Sequence, residues 1–316
     1  MECHSRLTTH DSQLTTHKMA GGLKEVRERI KSVMGTQQIT KAMKMVSAAK
    51  LRKAQNAIVQ MRPYAEKLNR MLSNILSNLG GDANTSFGKA RVVKKVLIVV
   101  VTSNRGLCGA FNTNINKEAV MLINTKYPQQ RQNGGVTVLF IGKKGYDFFR
   151  RRFSDLKFNT DFIGAYEKPS YDNISGIARG LMDEFSKGHY DAIEVVYSHF
   201  RNAATQFPTV EQWLPVPKLE VKGGKVTNKK ADYIFEPDKE QLLETLVPSI
   251  LQLSFHKTVL DTQAGEHGAR MTAMDKATDN AEELLKALKI NYNKARQEAI
   301  TTELGEIVGG AAALEN

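Results

Sequence analysis

An unbroken heptad pattern near the carboxyl end constrains the fold of this chain more than any other feature. Eighteen successive positions, at alternating steps of three and four, hold thirteen aliphatic, Met or Ala residues. These positions are Leu243, Leu246, Ile250, Leu253, Lys257, Leu260, Ala264, His267, Met271, Met274, Thr278, Ala281, Leu285, Leu288, Tyr292, Ala295, Ala299 and Thr302. A helix on a globular surface would drift out of this register, because 3.6 residues per turn does not divide seven. The pattern predicts a long helix, ending near Val308, that pairs with another helix in a left-handed coiled coil.

A second long helix is predicted near the amino end. Its apolar stripe, the predicted seam of this helix, consists of Leu23, Val26, Ile30, Val33, Ile39, Met43, Val46, Ala49, Ala57, Met61, Tyr64, Leu68, Met71, Ile75 and Leu79. The polar segment Gly35–Gln38 interrupts the alternation, so a break of register is predicted there. Pro63 is predicted to kink or locally break this helix, and Pro248 to mark a kink between a short lead-in and the main part of the other. Because each helix has one apolar stripe, the two are predicted to pair antiparallel.

The hydrophobic period changes between the two helices. Continuous apolar runs typical of buried strands are Lys95–Val101, Val136–Ile141 and Asp191–Tyr197, with an extended piece at Gln206–Trp213. Helical patterns lie at about 111–126, 143–152 and 173–187. Strands that alternate with helices predict a parallel α/β sheet.

The predicted fold class is therefore α/β: a long antiparallel coiled coil of the N- and C-terminal helices, with an inserted Rossmann-like parallel-sheet domain. Its segments are a disordered tail or misassigned start at 1–18, the N-terminal coiled-coil helix at 19–80, the α/β domain at 92–216, a polar loop and connector at 217–238, and the C-terminal coiled-coil helix at 239–316. The tail repeats Leu-Thr-Thr-His and lacks both a helical period and the apolar core of a signal peptide.

The net charge of +12 is unevenly distributed. Leu23–Arg70 contains twelve Lys or Arg and three Glu, whereas 239–316 contains eight basic and twelve acidic residues. Opposite charge on the two helices favours their pairing, and the surplus on the first predicts an outside partner. An acidic protein surface is favoured over a solvated helix face or nucleic acid, because no aromatic residues alternate with the basic ones.

The residues predict no active site. Ser103–Gly109 follows the first strand, where a phosphate-binding turn could lie, but it matches neither the dinucleotide nor the Walker pattern. Cys108 has no histidine near it in sequence to act as a base, so a buried structural role is favoured over a nucleophilic one. His267 occupies a seam position and is interpreted as a packed interhelical residue. No cofactor or metal is predicted, and no apolar run approaches the about 20 residues that span a bilayer.

Several segments resemble the gamma subunit of F-type ATP synthases. They are Met19–Arg27, Thr36–Val46, Arg105–Gly109, Tyr233–Asp238, Ala277–Ala281, Tyr292–Gln297 and Ile300–Gly310, and the similarity covers about 19–314 in collinear order. The resemblance implies a central rotor shaft that couples proton flow to ATP synthesis or hydrolysis on other subunits. The chain itself would be a non-catalytic subunit. Two rival interpretations are a coiled-coil adaptor with an α/β head and a transferase that depends on Cys108.

The resemblance also implies partners and contact residues. The partners are the alpha and beta subunits of the catalytic ring, the epsilon subunit and the membrane c-ring, with one copy of the chain per complex and no nucleic acid. The implied contact residues are Met43, Lys44, Lys50, Arg52, Lys53, Arg270, Arg296, Gln297, Thr301, Glu303, Tyr233 and Glu236, and an ordinary solvated role is the alternative for each. The loop 217–232 lacks the cysteines of the chloroplast form. We therefore expect a peripheral protein on the cytoplasmic face of a bacterial plasma membrane, in preference to a mitochondrial inner membrane.

Overall fold

The structure, a computed structural model, describes residues 5–78, 87–88, 91–216 and 239–314. The chain forms two compact units. The helical unit comprises Met1–Met45 and Met274–Asn316, and the α/β unit comprises Val46–Ala273. Two long helices, α1 (Ser5–Asn78) and α6 (Lys239–Leu314), each contribute to both units.

The α/β unit contains one five-stranded sheet. Its strands are β1 (Val96–Val101), β2 (Val136–Ile141), β3 (Lys157–Asn159), β4 (Ala192–Phe200) and β5 (Gln206–Leu214), in the order β3-β2-β1-β4-β5. The first four strands are parallel and β5 runs antiparallel to β4 at the edge. The predicted fold class is confirmed. The sequence analysis missed β3, because three residues are too few to display a period.

Helices cover both faces of this sheet. They are α2 (Phe111–Lys126), α3 (Pro128–Gln132), α4 (Lys143–Phe149) and α5 (Tyr171–Ser186), with a 3₁₀ turn at Ile163–Tyr166. Alternate residues of β1 point to opposite faces, so Leu97 packs with α5 and α6 while Ile98 packs with α2 and α4. The carboxyl ends of β1 and β2 and the buried stretch of α6 thus belong to one core.

In the helical unit, α1 and α6 pair antiparallel, as predicted. Arg27 donates to the hydroxyl of Tyr292 at 2.8 Å, Thr40 bonds Thr278 through their hydroxyls at 2.8 Å, and Lys44 forms an ion pair with Asp275. Residue numbers rise along one helix as they fall along the other. On α6, the seam positions from Met274 to Thr302 are all buried or half-buried, and most of the residues between them are exposed.

The predicted register of α1 is wrong between Ile39 and Ala57 and at Tyr64, whereas Met61 and Leu68 lie in the seam as predicted. Ile39 and Val46, predicted to lie in the seam, are 62% and 55% exposed. The buried or half-buried stripe instead keeps one three–four alternation throughout: Leu23, Val26, Ile30, Val33, Gln37, Thr40, Lys44, Ser47, Leu51, Ala54, Ile58, Met61, Ala65 and Leu68. The helix continues without a break through Gly35–Gln38. Polar side chains fill part of the seam there, so apolar residues alone give a false register.

Three further predictions concern the course of the two long helices. α1 continues through Pro63 and α6 through Pro248, so neither described helix is broken at its proline, and the kinks predicted there stay predictions. Each proline removes one backbone hydrogen bond while neighbouring turns keep theirs. α1 begins at Ser5, within the segment 1–18 that is predicted to be a disordered tail or a misassigned start. Once a helix is nucleated, each added residue contributes a hydrogen bond even where no seam exists.

Candidate functional site

Three basic side chains predicted to face acidic partners are accessible. Lys50, Arg52 and Lys53 are all exposed on α1 within the α/β unit. The helix carries no acidic residue between Glu28 and Glu66. The local potential is therefore positive, which suits contact with an acidic protein surface.

Met43 and Lys44 are partly used inside the helical unit. Both are half-buried, and the Lys44 ammonium donates to the carboxylate of Asp275 on α6. The two side chains of this ion pair remain 42% and 48% exposed. Lys44 is thus a seam residue that fixes pairing, and only part of its surface is left for another protein.

Four predicted contact residues lie on the exposed surface of α6. They are Arg296, Gln297, Thr301 and Glu303. The Thr301 hydroxyl donates to the carbonyl of Gln297 at 2.9 Å, a bond within the helix that leaves both side chains at the surface. These positions are accessible, as a contact with a partner requires.

Arg270 was predicted to contact a partner, but the structure places it in the interior of the α/β unit, where it is buried. Its Nη2 donates to the carbonyls of Arg105 and Gly106 at 3.3 and 3.1 Å. Its Nη1 lies 2.6 Å from Oε1 of Glu266, one turn earlier on α6. Its partners come from a segment about 165 positions away, so nothing in the local sequence indicated this burial.

A buried network supports this arginine. The Tyr166 hydroxyl donates to Oε2 of Glu266 at 2.5 Å, and Gln263 donates to the carbonyl of Tyr166 at 2.9 Å. Burial, followed by the neighbouring Glu266 carboxylate, raises the pKa of Tyr166 well above its usual value. Tyr166 therefore stays a neutral donor to Glu266. We call Arg270, Glu266, Tyr166 and the loop 105–109 the clamp.

Cys108 and His267 have structural roles around the clamp. Burial raises the pKa of the Cys108 thiol, and the nearby Arg270 only partly opposes this effect. A thiol of raised pKa is a poor nucleophile. Burial also lowers the pKa of His267, whose Nδ1 faces Arg270 Nη1 at 3.4 Å. Neither side chain has the environment of a catalytic group.

The sequence analysis missed an apolar surface on the helical unit. Large hydrophobic side chains are exposed on both helices: Met34, Ile39 and Met45 on α1, and Leu284, Ile290, Ile300, Leu304, Ile307 and Val308 on α6. Contiguous apolar patches on a folded protein usually mark an interaction site, and these side chains are candidates for one. The sequence carries one signal of this surface, because α1 contains more apolar residues than one seam can bury.

Other kinds of site find no support in the described part of the chain. It contains no group of three or more His, Cys, Asp or Glu placed to hold a metal ion. Among the helices described, none has a stretch that is long and apolar enough to cross a membrane. Tyr233 and Glu236, the predicted membrane-ring contacts, lie outside the described residues, as does the loop 217–232.

Comparisons with known proteins agree with this geometry. A family model described as ATP synthase matches residues 22–314. The ATP synthase gamma chain of Cytophaga hutchinsonii is 50% identical over 294 residues, covering 93% of this chain and 99% of the relative. That of Flavobacterium psychrophilum is 52% identical over 293 residues, with coverage of 93% and 99%.

Solved structures show the same fold. A chain from the mitochondrial ATP synthase of Euglena gracilis (OSCP/F1/c-ring, rotational state 3) aligns with a TM-score of 0.61 at 24% identity, covering 93% of this chain and 95% of that one. A chain of the central stalk/c-ring structure from Tetrahymena thermophila aligns with a TM-score of 0.51 at 24% identity, over 76% and 99%. From the matched family model and the half-identical relatives, this chain belongs to the ATP synthase gamma-chain family.

Proposed function

We propose that this chain is the central rotor shaft of an F-type ATP synthase. It couples proton flow through a membrane ring to ATP synthesis or hydrolysis on catalytic subunits by rotating. The observation that carries this proposal is the antiparallel pairing of the two chain ends, fixed by bonds such as Arg27–Tyr292 and Thr40–Thr278. A helix pair resists twisting better than one helix, because each helix holds the register of the other.

The exposed side chains of the long helices fit a shaft that turns inside other subunits. Ile39 and Val46 on α1 and Ile290 on α6 present apolar surface to a surrounding protein. Apolar contacts are non-directional, so they exclude water without fixing one orientation. The basic Lys50, Arg52 and Lys53 would meet acidic loops of the catalytic subunits, where attraction depends on distance more than on geometry.

The partners that follow are the alpha and beta subunits around the shaft, and the epsilon subunit and c-ring at its base. One copy of the chain would serve each complex. ATP chemistry would remain on the partners, in agreement with a sequence that matches no nucleotide-binding motif. The gamma-chain relatives given above are bacterial, which favours a peripheral location on the cytoplasmic face of a bacterial plasma membrane.

Reconstitution tests the proposal directly. The complex is assembled in vesicles with and without this chain, and proton-driven ATP synthesis and ATP hydrolysis are measured. We expect synthesis to be lost without the chain while some uncoupled hydrolysis remains. Unchanged coupled synthesis in its absence would rule out the rotor function and favour an adaptor.

Charge reversal tests the basic contact in the same assay. Lys50→Glu, Arg52→Glu and Lys53→Glu together should weaken assembly or coupling, and the defect should diminish at high salt because exposed charges are screened. Lys286→Glu with Lys294→Glu on α6 is the matched control, since both lysines already pair with glutamates of their own helix. Equal defects in both sets would contradict a specific acidic partner.

A further inference from the structure

Residues 239–273 of α6 belong to the α/β unit. They are attached to the sheet by apolar contacts and by hydrogen bonds. Val247, Leu251, Phe255 and Val259 belong to the core between α6, α5 and the strands. Such apolar contacts resist separation strongly, but they have no preferred direction. A helix held only in this way could slide or turn against its neighbours when a torque acts on it.

Directional contacts are present as well, such as the Trp213 indole N–H donating to the carbonyl of Leu251 and the Ser198 N–H donating to the Thr262 hydroxyl. Arg270 adds the contact to the loop that follows β1. The planar guanidinium joins three acceptors from two segments: the carbonyls of Arg105 and Gly106, and the carboxylate of Glu266. The side chains of Arg270 and Glu266 are only 10% and 6% exposed, so water competes little for these bonds. Because a guanidinium fork is rigid and its bonds depend on angle, rotation of α6 against the loop would break them.

The loop that Arg270 grips is held from its other side as well. The Asn112 side chain accepts from the backbone N–H of Ser103 at 3.0 Å, and the Ser103 hydroxyl donates to the carbonyl of Arg105 at 2.6 Å. Asn112 belongs to α2 and Ser103 follows β1, so the loop is fixed to the sheet layer. Arg270 connects that layer to α6.

The backbone of the loop shows that it is under constraint. Leu107 has φ of +62°, a left-handed conformation that non-glycine residues rarely adopt, yet its side chain is 65% exposed. No burial of Leu107 itself stabilises this conformation. Strain of this kind persists only where the surroundings enforce it. The bonds of Arg270 hold the carbonyls of Arg105 and Gly106, directly before Leu107 in the chain.

We propose that Arg270 is a positioning residue for rotary coupling: through the clamp it locks α6 to the α/β sheet, so that torque passes between them without slip. α6 runs uninterrupted from Lys239 to Leu314, which gives the torque a continuous path. The inference rests on the proposed rotor function. It assigns to Arg270 an action inside the chain in place of a contact with another subunit.

The test compares variants in the assembled complex. Arg270→Lys keeps the charge but cannot reach all three acceptors, and Tyr166→Phe removes only the bond to Glu266. Arg270→Met with Glu266→Met replaces the buried pair by apolar side chains, a change that often preserves stability. Lys286→Met is the control, because it removes an exposed one-turn ion pair on the same helix.

Two readouts separate positioning from folding. Amide hydrogen exchange of Ser103 and Lys144, whose N–H groups donate to Asn112 and to the Ser103 carbonyl, should be about tenfold or more faster in Arg270→Lys and in the double variant, as expected for the loss of a bond to a charged group. Protons pumped per ATP hydrolysed should fall in the same two variants while hydrolysis continues. Tyr166→Phe should give the same changes to a smaller degree, and Lys286→Met should give none.

Several results would overturn the proposal. One is normal loop exchange in Arg270→Lys; another is fast exchange with an unchanged ratio of protons to ATP. A double variant that assembles normally and pumps normally would show that the other contacts of α6 carry the torque without the clamp. If coupling persists in complexes that lack the chain entirely, the rotor function fails, whereas the exchange measurement still reports on the clamp.

Discussion

The two parts of α6 that belong to different compact units follow one heptad but differ in how much of their surface is covered. From Leu253 to Arg270 most positions are buried, including Thr258 and Thr262 off the seam. From Met274 to Thr302 burial is largely confined to the seam. The heptad thus specifies pairing, whereas the number of other elements that cover a helix decides how sensitive each position is to change.

The largest difference in lost stability should appear between alanine substitutions at two leucines of nearly equal burial. Leu251 and Leu285 are 6% and 7% exposed. Leu251→Ala leaves a cavity among strands and helices and should lower the free energy of unfolding by about 3–5 kcal/mol, whereas Leu285→Ala, between two helices that can approach, should cost about 2–3 kcal/mol. Urea unfolding of the full chain measures both. Equal losses would show that the helix pair is as rigid as the sheet core.

The histidines of the more deeply covered part should make its stability depend on pH. Burial lowers the pKa of His256 and of His267, and the helical unit's residues 274–316 contain no histidine. The unfolded chain therefore binds more protons below about pH 6.5, so stability from these groups is full above that pH and falls as pH decreases through it. Urea unfolding of the wild type and of His256→Asn at pH 7.5 and 5.5 measures this. A pH dependence that is unchanged in the variant would contradict the role of His256.

The ion pair between the two helices, Lys44–Asp275, should contribute less to stability than the buried pair within α6, Arg270–Glu266. Lys44–Asp275 is about half exposed, so a double-mutant cycle to alanine should give a coupling of about 0.2–1 kcal/mol. The value should fall at 1 M salt, because exposed pairs are screened. A coupling as large as that of the buried Arg270–Glu266 pair would mean that the seam excludes water far better than its exposure indicates.

The smallest effect tests the corrected register of α1. Ile39→Ala and Val46→Ala should each change the stability of the isolated chain by no more than about 0.5 kcal/mol, as expected for exposed positions. Leu51→Ala, at a buried seam position, is the matched comparison and should cost about 2–3 kcal/mol. The opposite ranking would restore the register predicted from apolar residues alone.

The structure shows which features could be predicted from the sequence. Continuous apolar runs such as Val96–Val101 identified the buried strands, and the seam of α6 followed from spacing because thirteen of its eighteen positions are aliphatic, Met or Ala. The seam of α1 could not be predicted in this way. Thr40, Lys44 and Ser47 lie inside it while Ile39 and Val46 lie outside. Apolar residues that other proteins cover have the same local signal as apolar residues that the chain itself covers.

The candidate site illustrates a second limit. Exposed residues such as Lys50 and Arg296 were placed at the surface correctly, because charged helix residues are seldom buried without partners. Arg270 is the exception, since its acceptors at Arg105 and Gly106 and the supporting Tyr166 are distant in sequence. Only folding brings these groups together, so a burial that depends on them has no local signature.

The antiparallel pairing of the chain ends has a consequence for how the protein is made. Arg27 and Tyr292 bond across 265 positions. At ribosomal rates of about 5–20 residues per second, the amino-terminal helix emerges on the order of tens of seconds before its partner exists. A single helix in water is marginally stable. We therefore expect the α/β unit to fold first and the helix pair to form only after translation ends, with nascent α1 depending on chaperones in the interval.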